Sequence, residues 1–301
     1  MAVSTIRFAR IEDLPQQKLI WQLCFGDQQA DIDFYYSYYD QPDKTLVFET
    51  AGLVQAMLTM LPIRGVLPNG FNLEATMLYA IATHPEHQKK GLAAMLIEKA
   101  NQISQQQNQP FTILVPASLS LFDYYSKQGY RPGFWLRETR LEATQIKALG
   151  SSQDNLIAVN LTAVSAKAYN QIRQKKLAGS FHIAYADQEL EYQKKSSQRS
   201  GVDIYALDVA GEKGCAIIEK VDSAKMIIKE LIIADEYLEA VLQRLACEFS
   251  ASEYLIRTPV ANGAKLGGKV RAFGVMRVNQ PIEEFMNIQD ADCGYLGIAF
   301  D

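Results

Sequence analysis

Leu78-Tyr-Ala-Ile-Ala-Thr-His-Pro-Glu-His-Gln-Lys-Lys-Gly-Leu-Ala-Ala-Met-Leu-Ile-Glu-Lys-Ala100 opens as an apolar run and closes as a helix. The run reads as a buried strand that stops at Pro85. After Gln88-Lys-Lys-Gly-Leu-Ala93 the apolar positions fall at Leu92, Met95, Leu96, Ile97, Ala100 and Ile103, a helical spacing. The first N–H groups of a helix have no intrahelical acceptors and its dipole is positive at that end, so the bend suits a phosphate. Gly91 allows a ligand close to the backbone, Ala93 leaves the helix start uncrowded, and Lys89 and Lys90 add positive charge. Taken alone, the same residues also describe an ordinary strand-loop-helix connection.

A second segment lies downstream. Phe111-Thr-Ile-Leu-Val115 is a short β-branched run, followed by Pro116-Ala-Ser118 and a helical stretch Leu121-Phe-Asp-Tyr-Tyr-Ser-Lys-Gln-Gly-Tyr130. Gln88-x-x-Gly91-x-Ala93 directly after a strand resembles the (Arg/Gln)-x-x-Gly-x-(Gly/Ala) signature of the GNAT N-acetyltransferase superfamily. Tyr125-Ser-Lys-Gln-Gly129-Tyr130 is similar to that family's Tyr-x-x-x-Gly-(Phe/Tyr) helix end. The resemblance implies that Ile81, Ala82 and Thr83 line the pantetheine arm of acetyl-CoA. It implies that Gln88, Lys89, Lys90, Gly91, Leu92 and Ala93 cradle the pyrophosphate. Ser118, which stands where many members have Asn, and Phe122 fall by the same resemblance on the cofactor side. Tyr125 corresponds to the tyrosine that protonates the departing CoA thiolate, and a phenol that stays protonated at neutral pH suits that task. Its other reading is a ring that packs the helix against the sheet.

The chain of 301 residues has room for one large domain or two ordinary ones. Its 48% hydrophobic and 21% charged residues are those of a globular protein. A net charge of −4 and an isoelectric point near 5.6 argue against general nucleic-acid binding, which leaves a basic footprint. No apolar run is long enough to span a membrane, and the first residues lack the pattern of a secretory signal. Cys24, Cys215, Cys247 and Cys293 show no metal or redox spacing, so buried thiols in a reducing cytoplasm are expected. His84 and His87 flank the turn without a third ligand in the sequence pattern, and no metal is expected.

Along the chain, residues 4–8 read as a strand, and Ile11-Glu-Asp-Leu-Pro opens a helix with Leu19, Ile20, Leu23 and Cys24 on one side. Thr45–Glu49 and Leu53–Leu61 read as a hairpin through Ala51-Gly52, with a further turn at Pro68-Asn-Gly70. Residues 1–147 are assigned as the acetyl-CoA-binding GNAT domain. The polar stretch from Leu149 to Asn155 reads as a linker. The pattern then partly recurs over 155–301: a strand at 156–161, helices near 165–176 and 185–194, a hairpin through Gly211-Glu-Lys-Gly214, a strand at 225–233, a helix at 236–249 and a strand at 254–257. The turn there is Ala234-Asp235-Glu236, whose two carboxylates repel a pyrophosphate. The expected fold class is α+β: a GNAT fold with a mixed, mostly antiparallel sheet flanked by helices, followed by a second, degenerate GNAT-like domain without the cofactor signature. This layout resembles the Eis-type acetyltransferases, whose third, sterol-carrier-like domain is expected to be missing from a chain ending at Asp301. Gly263-Ala-Lys-Leu-Gly-Gly268-Lys269-Val270 imitates a P-loop, but Val270 has no hydroxyl for Mg²⁺ and a strand-like run follows.

The resemblance implies acetyl-CoA as acyl donor and an amine as acceptor, transferred by direct attack on the thioester, with a backbone N–H of Ala82 or Thr83 receiving the thioester oxygen. Where several relatives carry a catalytic glutamate this chain has Met77, which leaves Glu74, Tyr79, the Asp301 carboxylate or water relays as routes for the amine proton. Trp21 to Asp40, with Phe25, Asp27, Asp33, Tyr35, Tyr36, Tyr39 and Asp40, combines aromatic faces and negative charge suited to a cationic amine, or else packs its aromatics inward. Small-molecule N-acetylation is the leading expectation. Acetylation of a peptide or protein amine and a non-catalytic acyl-CoA-binding module are the alternatives. An oligomer is compatible with the sequence but not inferable from it.

Overall fold

The computed structural model describes residues 3–39, 42–149, 157–280 and 294–299. The chain divides into two compact units, neither continuous in sequence. The first comprises Met1–Arg64, Leu73–Arg131 and Gly274–Gln289, the second Gly65–Asn72, Pro132–Phe273 and Asp290–Asp301.

The first unit begins with β1 (Ser4–Phe8), α1 (Leu14–Phe25) and α2 (Gln29–Tyr39), then β2 (Thr45–Thr50), β3 (Leu53–Val66) and β4 (Asn72–Thr83). α3 (Leu92–Gln106), β5 (Phe111–Leu114) and α4 (Leu119–Ser126) follow. β1 pairs antiparallel with β2, and β2 antiparallel with β3 through a turn in which Ala51 and Gly52 both have positive φ, the geometry that matches strand twist in a two-residue hairpin. β4 runs parallel to β5, which a hairpin cannot connect, so α3 makes the crossover. Leu92, Leu96, Ile97 and Ala100 form the buried stripe of α3 and share a core with Leu46, Leu58, Leu78, Leu114 and Tyr125. Met95, expected on that stripe, is 48% exposed.

On α1 the sequence pattern misleads. Leu19 and Leu23 are exposed, and the inward face is Gln17, Ile20 and Trp21. The aromatic segment is settled more simply: Ile32, Tyr35, Tyr36 and Tyr39 of α2 are buried while Asp31, Asp33 and Ser37 face out, an amphipathic helix with its rings inward.

The second unit holds β6 (Arg131–Glu142), α5 (Ala143–Ala148), β7 (Val159–Ala163), α6 (Ala166–Leu177), β8 (His182–Ala184), α7 (Asp187–Arg199), β9 (Ile204–Val209), β10 (Glu212–Lys220), β11 (Lys225–Ile232), α8 (Leu238–Glu248) and β12 (Glu253–Thr258). β7, β9, β10 and β11 pair antiparallel in succession, β11 runs parallel to β12 with α8 between them, and β6 closes antiparallel on β12. An antiparallel series leading into a parallel pair joined by a helix is the plan of both units. The β9–β10 turn is Ala210-Gly211, both at positive φ, rather than the longer Gly211–Gly214 loop. Gly214 lies inside β10 because its missing side chain leaves room for Ile233 and the Ile232 carbonyl.

The last strand among the described residues, β13 (Lys269–Val278), pairs antiparallel with β5, while β6, which follows β5 in sequence, belongs with β12. Each unit thus takes its closing strand from the other half of the chain. The contiguous division at 147 and 155 therefore does not coincide with the compact units. Residues 150–155 of the expected linker, and Leu156 at the start of the expected strand, lie outside the described residues, and the described strand there starts at Val159. Lys269 opens a strand and not a helix, so the P-loop imitation ends there. No helix among the described residues is long and apolar enough to cross a membrane.

Candidate functional site

The site is built where β4 leaves its neighbour. The parallel ladder to β5 joins Thr76 to Thr112 and Met77 to Ile113, and β4 then runs on to Thr83 beyond the end of β5 at Leu114. Ala80 has φ 48°, an uncommon backbone for a non-glycine residue within a strand. Around it the buried positions change phase, from Leu73, Ala75 and Met77 to Leu78, Ala80 and Ala82. An irregularity of this kind re-aims backbone groups that a regular ladder would consume. Ile81 and Thr83 are half-buried beside it and Ala82 is buried.

Past Thr83 the chain makes a 3₁₀ turn (Pro85–His87) and reaches Gln88. Gln88 does not extend into the loop: its Nε2 donates to the Thr83 carbonyl at 3.2 Å, which also accepts from Cys24 Sγ at 3.2 Å. Burial raises the Cys24 thiol above its ordinary pKa. Lys89 and Gly91 both have positive φ, at 61° and 80°, so the backbone winds tightly just before α3. Gly91 caps α3 with no side-chain cap bond, and the first closing bond of the helix is Met95 N to Gly91 O at 3.1 Å. The N–H groups of Leu92, Ala93 and Ala94 therefore have no intrahelical acceptor. A Cβ placed on Gly91 meets nothing within 4 Å, so the space over the loop is open. Helix-start amides without intrahelical acceptors, two exposed lysines and open space over Gly91 suit an anion, and Gln88 ties the loop to β4.

α4 presents Tyr125. Ser118 is its N-cap but makes no capping bond; its Oγ bonds Ser120 Oγ at 2.9 Å, and it is exposed. Phe122 packs half-buried against the same core as Leu78 and Leu92. Gly129 at φ 83° lets the helix end, and the Tyr130 N–H returns to the Tyr125 carbonyl at 3.1 Å. Tyr130 then plugs the core, its hydroxyl 3.0 Å from Thr112 Oγ1 and 2.9 Å from Asn101 Oδ1, and burial pushes its phenol up to about 12. The Tyr125 ring is 7% exposed, beside Tyr124 and Tyr130, and no group among the described residues hydrogen-bonds its hydroxyl. Burial, reinforced by the adjacent tyrosines, raises its phenol well above the ordinary tyrosine range.

The candidates for base and acceptor fare differently. Met77 is buried in the core. Tyr79 is half-buried against Trp21 and Tyr35, Glu74 is exposed, and Asp301 lies outside the described residues, as does Asp40. Asp27 accepts from Trp21 Nε1 at 2.7 Å, and Asp33 from Lys18 Nζ at 2.6 Å and Gln29 Nε2 at 2.9 Å. Both carboxylates are thus engaged by side chains of α1 and α2, and the expected acidic face for an amine is reduced by that much. The sequence reading also missed Glu86 as a companion of His84 and His87: ligand atoms of the three lie within 4.8 Å of one another.

Residues 5–133 match the family model for the acetyltransferase (GNAT) domain, and this part of the chain is a GNAT domain. No curated protein matches the chain by sequence. Among solved structures it is similar to a GCN5-related N-acetyltransferase from Kribbella flavida (14% identity, 92% of this chain and 71% of that one, TM-score 0.69). It is similar also to a GCN5-related N-acetyltransferase from Anabaena variabilis (16%, 92% and 73%, TM-score 0.72). A third is Eis1 from Mycobacterium abscessus (12%, 92% and 74%, TM-score 0.65). Identities this low carry the fold, a mixed open sheet flanked by helices, across both halves of the chain.

Proposed function

We propose that this chain, whose residues 5–133 form a GNAT acetyltransferase domain, transfers an acetyl group from acetyl-CoA to a primary amine of a small molecule. The observation that carries the reading is the anion cradle at the start of α3, set at the end of a strand that has left its partner and in the same core as a tyrosine with an unengaged hydroxyl. Ile81, Ala82 and Thr83 offer strand edge to the pantetheine, and Lys89 to Ala93 offer amides and charge to the pyrophosphate. The neutral amine attacks the thioester carbon. A backbone N–H of Ala82 or Thr83 stabilises the oxyanion, the C–S bond breaks, and Tyr125 gives its proton to the leaving thiolate. The phenolate regains that proton from solvent. The ammonium proton formed on the acceptor leaves through water, in keeping with Met77 where a carboxylate would serve. A cytoplasmic setting accords with Cys24, Cys215 and Cys247, which are free thiols.

The test is release of CoA thiol from acetyl-CoA in the presence of polyamines, aminoglycosides, amino acids and lysine-containing peptides. Turnover with one of the small amines is expected. Turnover on peptides alone reassigns the acceptor, and tight acetyl-CoA binding with no turnover on any amine makes the protein a non-catalytic acyl-CoA-binding module.

A further inference from the structure

We propose that His84, Glu86 and His87 form a site for one divalent transition-metal ion, Zn²⁺ foremost, at the entrance to the phosphate-binding loop. This goes beyond acetyl transfer and does not depend on it.

Pro85 sets a 3₁₀ turn, in which residues three apart eclipse one another, so His84 and His87 stand on one side with ring centroids 5.7 Å apart. Glu86 lies between them in sequence and is exposed, and the three ligand atoms are within 4.8 Å of one another. Tetrahedral Zn²⁺ with bonds of about 2.0–2.1 Å needs ligand atoms roughly 3.3 Å apart. The difference is small for half-exposed rings and an exposed carboxylate.

The hydrogen bonds show which ring nitrogens accept. Lys90 Nζ lies 3.1 Å from His87 Nδ1, and an ammonium can only donate, so that nitrogen presents a lone pair. The Glu86 N–H donates to His84 Nδ1 at 3.4 Å, so that nitrogen is an acceptor too, and the bond is long enough for a metal ion to displace it. Two imidazole lone pairs and a carboxylate are a borderline donor set suited to Zn²⁺, Co²⁺, Ni²⁺ or Cu²⁺ rather than Mg²⁺ or Ca²⁺, and three protein ligands leave a fourth position open. The Lys90 ammonium, which also donates to the Glu86 carbonyl at 3.2 Å, already occupies the place of a cation. A metal ion therefore displaces Lys90 from His87. His182, the remaining histidine, is buried in the second unit with Nδ1 against the Ser180 carbonyl and does not compete.

Metal-stripped protein carrying Cys247→Ser, which removes an exposed thiol, is titrated with Co²⁺ by visible absorption and then with Zn²⁺ as competitor, without acetyl-CoA. One Co²⁺ per chain, displaced by one Zn²⁺, is expected. His84→Ala and His87→Ala should each weaken binding by about tenfold or more, with metal-free melting temperatures unchanged. Lys90→Met should strengthen it, because the competing ammonium is gone. No Co²⁺ binding, binding indifferent to both histidine substitutions, or weaker binding in Lys90→Met would overturn the site. Since no acyl donor is present, the outcome is independent of the acetyltransferase reading.

Discussion

At Tyr125 packing and chemistry make compatible demands. The ring is held by Tyr124 and Tyr130 in the core shared with Leu78 and Leu92, and the same burial keeps the phenol protonated. Tyr125→Phe keeps the ring and removes only the transferable proton, so kcat should fall by about 10²-fold while acetyl-CoA affinity and melting temperature stay near the parent values. Undiminished kcat would leave Tyr125 a packing residue. The pH profile gives an independent check. A raised phenol pKa keeps the acid form present through the ordinary tyrosine value of about 10, so kcat should show no alkaline fall below that pH that Tyr125→Phe abolishes. The end of α4 was legible in the sequence because the spacing from Tyr125 to Gly129 and Tyr130 has a local cause, the positive φ of Gly129. Ala80 was not: nothing in Leu78-Tyr-Ala-Ile announces a positive φ at a non-glycine residue, which the surrounding sheet imposes.

Among elements, the connection from β4 to α3 is where the proposed anion site lies, and Gly91, at φ 80°, opens α3. With φ 80° a side chain is strained there by about 1–2 kcal/mol although the space is open, so a bulky replacement confuses lost stability with lost binding. Asn tolerates this backbone better. Gly91→Asn should therefore nearly keep the melting temperature while its amide fills the cradle, weakening acetyl-CoA in calorimetry by about tenfold or more, or ~1.4 kcal/mol. Unchanged affinity would remove the pyrophosphate from this loop. The connection was readable because strand, Pro85, Gly91 and the Leu92, Leu96, Ile97, Ala100 stripe are neighbours in sequence, where local preference and core burial agree. The pairing of Val275 with Leu114 was not, since two residues so far apart meet only through strand order. On α1, Leu19 and Leu23 show the converse failure: the helical spacing was right, and the face that packs was Gln17, Ile20 and Trp21.

For the whole molecule, the second unit is held by chemistry the sequence concealed. Arg173 and Glu230, both fully buried, join through Arg173 Nε at 2.9 Å from Glu230 Oε2, which also accepts from Tyr169 at 2.6 Å. The remaining guanidinium nitrogens reach the carbonyls of Ile183 at 2.8 Å and Leu296 at 3.0 Å, fixing the buried segment 294–299 in that unit. Arg173→Met leaves a carboxylate buried without its cation and should cost about 3–5 kcal/mol in denaturant unfolding, whereas adding Glu230→Leu should recover part of the loss. A double-variant cost equal to the sum of the Arg173→Met and Glu230→Leu costs would mean that the pair is not coupled. The same unit repeats the strand-helix-strand plan at β11–α8–β12 but turns through Ala234-Asp235-Glu236, where Asp235 Oδ1 accepts from the Gly263 N–H at 2.5 Å. A carboxylate engaged with backbone stands there in place of the glycine-opened turn, and the proposed function therefore places a single CoA pyrophosphate, on the first unit. Titration of the intact chain with acetyl-CoA by calorimetry tests this most directly. One equivalent per chain, lost or strongly weakened in Gly91→Asn, is the expected result; no binding, or a stoichiometry of two, would contradict it.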